Sequence, residues 1–187
     1  MRAEAMLHWL EIINEQYPAG TPLRDIYMRH CRSVADLALE IAARRRLPLD
    51  PAEIEEAAML HDIGIFLTDA PGIECRGTEP YILHGLLGGE LLRREGMPER
   101  DARVAERHTG AGITADDIIA QGLPLPLGGD YMPATLLERL VCYADKFYSK
   151  SGSMERKSME KVERSMARIS PSTLERFNRL REEFSEE

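Results

Sequence analysis

Apolar positions recur every three to four residues along almost the whole chain. Between Ala3 and Tyr17 the residues Met6, Leu7, Leu10, Ile13 and Tyr17 keep helical spacing, and Pro18 with Gly20 ends the run. Thr21-Pro22 is an N-cap followed by a first-turn proline, so the pattern predicts a long helix to about Arg46. Its stripe is Ile26, Val34, Leu37, Ala38 and Ile41. Pro48 stops it, and Asp50-Pro51 repeats the start signal for a helix to about Leu60, broken by Gly64. Residues 65–79, with Pro71, Gly72 and Gly77, lack periodicity and read as a loop. Pro80 to Glu95 reads as helix with Leu83, Leu86, Leu87 and Leu91 inward, and Pro98 to about His108 as another. After a break at Gly110 and Gly112, Thr114 caps a short helix ending near Gly122. LPLPLGGDYMP is a proline-rich connector to an amphipathic segment from Ala134 to Phe147. From Ser151 the charges are evenly mixed and read as a solvated face of one or two helices, the last starting at Pro171.

No sustained period-two run of β-branched residues interrupts this pattern, so the expected fold class is all-α. A length of 187 residues suits one domain. The expected layout is a helical bundle with its core at about 21–150, an N-terminal helix 3–17 and C-terminal helices 151–187 packed on it.

Composition narrows the partners. A net charge of -8 and 6% aromatic residues argue against a nucleic-acid polymer or an anionic membrane surface. A small anionic substrate is compatible, because local charges or metal ions reverse the field inside one cleft. The first sixteen residues carry Arg2, Glu4 and Glu11 and no uninterrupted apolar run, so no signal peptide is expected. No stretch approaches the ~20 apolar residues of a membrane span. Three cysteines, Cys31, Cys75 and Cys142, without a C-x-x-C pair fit reduced thiols, and the expected compartment is the cytoplasm.

The chemistry-bearing residues are histidines and carboxylates placed on or beside helices. In order they are His30, the adjacent His61 and Asp62, His84, His108 and Asp145, the last on the apolar segment LVCYADKF. Imidazole nitrogens and carboxylates suit iron, manganese, zinc and cobalt, and a buried carboxylate needs a counter-charge that a metal supplies. Spacing alone leaves a metal site and a set of hydrogen-bonded core histidines both open.

The ordered set of His30, HDIG at 61–64, His84 in YILHGLLGG, His108 in ERHTGAGIT and Asp145 resembles the HD-domain superfamily of metal-dependent phosphohydrolases, in its subgroup with two metals. The chain also resembles HDIG-type phosphohydrolases of about this length in its GLPLP and DYMPATLLERLVCYADKF segments. That resemblance implies a first metal held by His30, His61, Asp62 and Asp145, with Asp62 bridging to a second held by His84 and His108. His61 and Asp62 would be the catalytic pair. The implied cofactors are two divalent ions, iron or manganese ahead of zinc, cobalt, nickel or magnesium. His8 has no counterpart and is read as an ordinary helix residue.

The implied activity is hydrolysis of a phosphate ester or anhydride of a small molecule, a nucleotide or dinucleotide for preference, by a metal-activated hydroxide. Symmetrical diadenosine tetraphosphatases of the same group make that substrate class worth testing. Arg76, Tyr81, Lys146 and Lys150 are candidate substrate-binding residues, and Arg107 and Thr109 candidates to support His108. Two other readings share these ligands: a mixed-valence di-iron oxygenase of the HD superfamily and a non-catalytic nucleotide-binding HD module. Cys31 and Cys142 are expected to be buried structural thiols, and Met154, Met159 and Met166 to serve packing or the seam of a homodimer.

Overall fold

The structure is a computed structural model. It describes residues 2–185, with side chains from residue 8 onward, so the expected inward positions Met6 and Leu7 lie outside the described side chains. Among the described residues the fold is all-α. Helix α1 (Arg2–Gln16) leads into α2 (Pro22–Arg45), which starts where Thr21 accepts the Arg24 N–H. Asp50 caps α3 (Pro51–Leu60) in the same way through Ala52 N–H. Next come α4 (His84–Arg94), entered through a 3-10 turn at Tyr81–Leu83, and α5 (Glu99–Arg107). Thr114 opens α6 (Ala115–Gln121) with a reciprocal capping box, and Thr135 does the same for α7 (Leu136–Asp145). The charged tail forms α8 (Met159–Ile169) and α9 (Pro171–Phe184), with Ser170 between them capping α9.

The region 65–79 carries more order than its composition suggests. Two residue pairs form an antiparallel ribbon, β1 (Asp69–Ala70) on β2 (Cys75–Arg76), in register Asp69 to Arg76 and Ala70 to Cys75. A second expectation fails at α4. Leu91 is buried as expected, but Leu83, Leu86 and Leu87 are only half-buried. The buried face of α4 is instead His84, Gly85, Gly88, Gly89, Leu91 and Leu92. The reason is close approach: a Cβ on Gly85 would stand 2.6 Å from the Ala105 carbonyl oxygen of α5, and one on Gly64 would stand 2.3 Å from the His84 oxygen. Backbone packs directly on backbone here, so the leucines turn aside, Leu83 and Leu86 toward a small cluster around Ile118, Leu125 and Tyr131.

One apolar cluster runs from Trp9 to Phe184 and includes Val34, Leu60, Leu140, Val162, Met166 and Phe177. The tail is therefore more than a solvated face. Arg139 grips Glu183 of α9 with two hydrogen bonds of 2.8 Å, and Arg176 of α9 meets Asp117 at 2.6 Å. Met166 is buried and Met159 half-buried against this same core, so both pack within the chain.

Candidate metal centre

Five segments meet at one point in the core. His30 sits midway along α2, on the stripe that includes Tyr27, Val34 and Ala38. His61 and Asp62 follow the last turn of α3, in a turn fixed from outside by two buried tyrosines. Tyr27 donates to the Met59 carbonyl at 2.6 Å and Tyr17 to the Ile63 carbonyl at 2.8 Å, their rings stacked 4.0 Å apart. His84 opens α4, His108 follows the end of α5, and Asp145 ends α7.

Three of the histidines are held the same way. Nδ1 of His61, His84 and His108 each donates to the carbonyl three residues earlier: Ala58 at 2.6 Å, Tyr81 at 2.6 Å and Ala105 at 2.7 Å. A carbonyl only accepts, so Nδ1 carries the proton and Nε2 of a neutral ring turns its lone pair to the centre. His30 Nε2 lies 3.0 Å from Asp145 Oδ1 and 3.1 Å from Asp62 Oδ2. His61 Nε2 is 3.2 Å from Asp62 Oδ2, while His84 and His108 face the other oxygen, Oδ1, at 3.4 and 3.2 Å. Donor atoms of His30, His61, Asp62 and Asp145 all lie within 4.8 Å of one another, and so do those of Asp62, His84 and His108. Asp62 is common to both groups.

The donors fit divalent cations. His84 Nε2 and His108 Nε2 stand 3.0 Å apart with both Nδ1 protons committed elsewhere, so two lone pairs face each other unless a cation lies between them. His61 Nε2 and both oxygens of Asp62 are buried without a properly aligned hydrogen bond. At the second group the protonation states suit as they stand: burial pushes His84 down to about 3, helped by His108, and lowers His108 as well, so both rings are neutral. His61 differs: burial opposes its charge, but Asp62 beside it outweighs burial and raises the ring well above the usual imidazole value, so a cation bound there displaces a proton. Burial works to raise Asp62, but Lys150 and His61 overcome it and hold the carboxyl well below the usual range. Burial likewise opposes ionisation of Asp145, and Lys146 with His30 outweighs it.

A cleft of about 490 Å³ opens at the edge of this cluster, where Asp145, Lys146, Lys150 and Tyr81 line it. Lys150 Nζ is 2.7 Å from Asp62 Oδ2 and 5.8 Å from the centre of the Tyr81 ring, which stacks on His84. Lys146 is anchored more tightly, its Nζ 2.6 Å from Asp145 Oδ2 and 2.8 Å from the His108 carbonyl. Arg76 is the expected substrate residue that the structure does not bring to the cleft. On β2 it alternates with buried Cys75, so its side chain points out, 72% exposed, toward Glu74. Arg107 is held by Glu138 at 2.9 Å and Asp130 at 3.0 Å, which ties the connector to the end of α5 just before His108.

The three thiols are buried and unpaired, and burial pushes them up, Cys75 and Cys142 to about 11. They stay protonated and are poor nucleophiles. His8 lies on the surface with Nε2 3.1 Å from the Glu95 carbonyl. Sequence reasoning missed Lys157 and the α8 residues Ser165, Met166 and Ile169, all of which line the cleft. Nothing local marks them, because the tail's periodicity does not say which helix end it covers.

A family model described as HD domain matches residues 27–149, a span that contains all six of these residues. The chain is 34% identical over 125 residues to a tRNA (cytidine(56)-2'-O)-methyltransferase of Picrophilus torridus, covering 67% of this chain but 32% of that protein. It is 39% identical over 121 residues to an uncharacterized protein of Methanocaldococcus jannaschii, covering 63% of each. The shared stretch is thus about a third of the methyltransferase, whose name describes much more chain than is shared. Among solved structures, the HD domain of the Listeria monocytogenes phosphodiesterase PgpH superposes with a TM-score of 0.55 at 16% identity, over 92% of this chain and 94% of that one. The same domain in complex with cyclic-di-AMP gives 0.54 at 16% identity, over 96% and 98%. These structural likenesses bear on the fold. No helix among the described residues is long and apolar enough to cross a membrane.

Proposed function

Because this chain belongs to the HD-domain family, we propose that it is a metal-dependent phosphohydrolase cleaving a phosphate ester or anhydride of a small molecule, a nucleotide for preference. One observation carries the reading: two donor groups sharing Asp62 reach a cleft through Asp145, which lines it together with Lys146 and Lys150. The whole chain acts as one HD unit in this reading, supported by the apolar cluster that runs from Trp9 to Phe184. The phosphodiesterase domain that binds cyclic-di-AMP supports a phosphorylated small ligand.

His30, His61, Asp62 and Asp145 would hold one divalent ion, and Asp62, His84 and His108 a second. Such a pair supplies a water of near-neutral pKa and offsets charge on the phosphoryl oxygens. The chain's own part is positional. The Nδ1–carbonyl bonds of His61, His84 and His108 fix three imidazole planes before any ligand arrives. Lys150, its side chain 13% exposed, presents an ammonium at the cleft floor where a phosphoryl oxygen would lie. Tyr81 backs that ammonium with its ring. Lys146, already bound to Asp145 and the His108 carbonyl, holds the ends of α5 and α7 together. A di-iron oxygenase would use the same six side chains; the lysines favour phosphate, and hydrolysis that proceeds without dioxygen separates the two.

The test is metal stoichiometry by mass spectrometry on anaerobically purified protein, beside His84→Ala and His108→Ala, with phosphate release from nucleotides measured on each. Close to two ions in the parent, falling toward one in both variants with loss of phosphate release, is expected. One ion or none in the parent, unchanged in the variants, overturns the two-ion centre. Phosphate release absent in a protein that holds two ions overturns the hydrolase reading.

A further inference from the structure

Beside the cleft lies a second, smaller hollow of about 180 Å³. Its walls are apolar where they count: Ile82 precedes α4, Ile113 and Leu123 flank α6, and Ile169 ends α8. Two residues, Gly110 and Ile169, line both the hollow and the cleft. The partition is therefore thin. Gly110 has φ +59 and offers no side chain, and Ile169 is a large apolar side chain left 45% exposed at the rim.

From this continuity we propose that the hollow is the subsite for the planar end of the substrate, a single nucleobase, with Ile169 closing over it while the phosphate lies on Lys150. The inference rests on the phosphohydrolase reading and specifies its substrate as a mononucleotide. Charge supports the direction. Asp117, the one ionisable residue lining the hollow, is neutralised in place by Arg176 at 2.6 Å and by the Thr114 N–H at 2.9 Å, so the hollow offers nothing to a phosphate. Gln121 at its edge carries an amide that both donates and accepts, which is what the edge of a base requires. Size sets the number of bases. The hollow has the volume of about six waters, room for one ring system rather than two nucleosides. An exposed isoleucine between two concave surfaces is also accounted for, since a bound base would cover it.

The test titrates metal-loaded protein calorimetrically with the 5′-phosphorothioates of adenosine, guanosine, cytidine and uridine, and with ribose 5-phosphorothioate, which lacks a base. At least one nucleotide should bind ten-fold or more tightly than the ribose compound. Ile113→Trp and Leu123→Trp, two lining positions that flank α6, should fill the hollow, abolish that advantage and leave the ribose compound's affinity unchanged. Thermal melts identify a variant that fails to fold, in which case the other decides. No nucleotide binding better than the ribose compound, or an advantage that survives in a folded variant, overturns the subsite. Release of phosphate from ribose 5-phosphate tracks the hydrolase reading separately, so the two can fail independently.

Discussion

Asp62 decides the chemistry at the residue scale, because one side chain serves both donor groups with a different oxygen turned to each. The adjacency of His61 and Asp62 is visible in sequence, and so is the set of residue types. The locking of three rings through the carbonyl three residues back is visible only as a consequence of each histidine standing at or beside a helix end. A second buried carboxylate has nothing to do with the centre. Asp101 of α5 is fully buried beside Glu56 of α3, and burial, then Glu56, push it up to about 8 against the pull of Arg100. Between about pH 4, the ordinary carboxyl value, and about 8, the folded chain holds a proton that the unfolded chain has lost. Stability is accordingly highest at the acid end of that window, falls as pH rises and levels off above about 8. Asp101→Asn keeps a donor toward Glu56 and removes the titration. Thermal melts from pH 5 to 9 should show a flatter profile, with a gain of about 1–3 kcal/mol at pH 9. A profile that keeps the parent's slope refutes this account.

At the scale of elements, the starts of helices were legible and their faces less so. Thr21, Asp50, Thr114 and Thr135 cap α2, α3, α6 and α7, because a cap is a local exchange between one side chain and the next turn. Thr135 escaped sequence notice, the helix being read from Ala134, and so did Ser158 and Ser170, which cap α8 and α9. The inward face of α4 was misread because leucine outranks glycine on any apolar scale, whereas close packing of backbones selects glycine. That face positions chemistry: it sets the separation of His84 on α4 from His108 after α5. Gly85→Ala should cost about 1–3 kcal/mol through overpacking against Ala105 and, by shifting His84 against His108, lower the amount of metal bound, read by melts and metal analysis. Full stability with metal binding unchanged from the parent would show that the helices have slack.

On the scale of the whole molecule, α8 and α9 lie beyond the residues matched by the HD family model, yet both finish the core and α8 also walls the cleft. Phe177 is fully buried and its ring lies 5.8 Å from that of Tyr143 on α7. Phe177→Ala should cost about 3–5 kcal/mol and lower the melting temperature by roughly 6–20 °C. A shift of a degree or two would mean that the tail folds separately from the body. The sequence by itself determined the helices, several of their caps and the all-α class, since each is written in local spacing, and it supplied the residue types of the centre, which the family resemblance rather than spacing assembled into one set. Tertiary structure alone decided that Arg76 points away, that Leu83, Leu86 and Leu87 stand only half-buried at α4, and that Ile169 stands between two hollows. Those outcomes depend on which surfaces meet across long stretches of chain. Periodicity reports that a helix has a buried side, but only packing decides what that side is buried against.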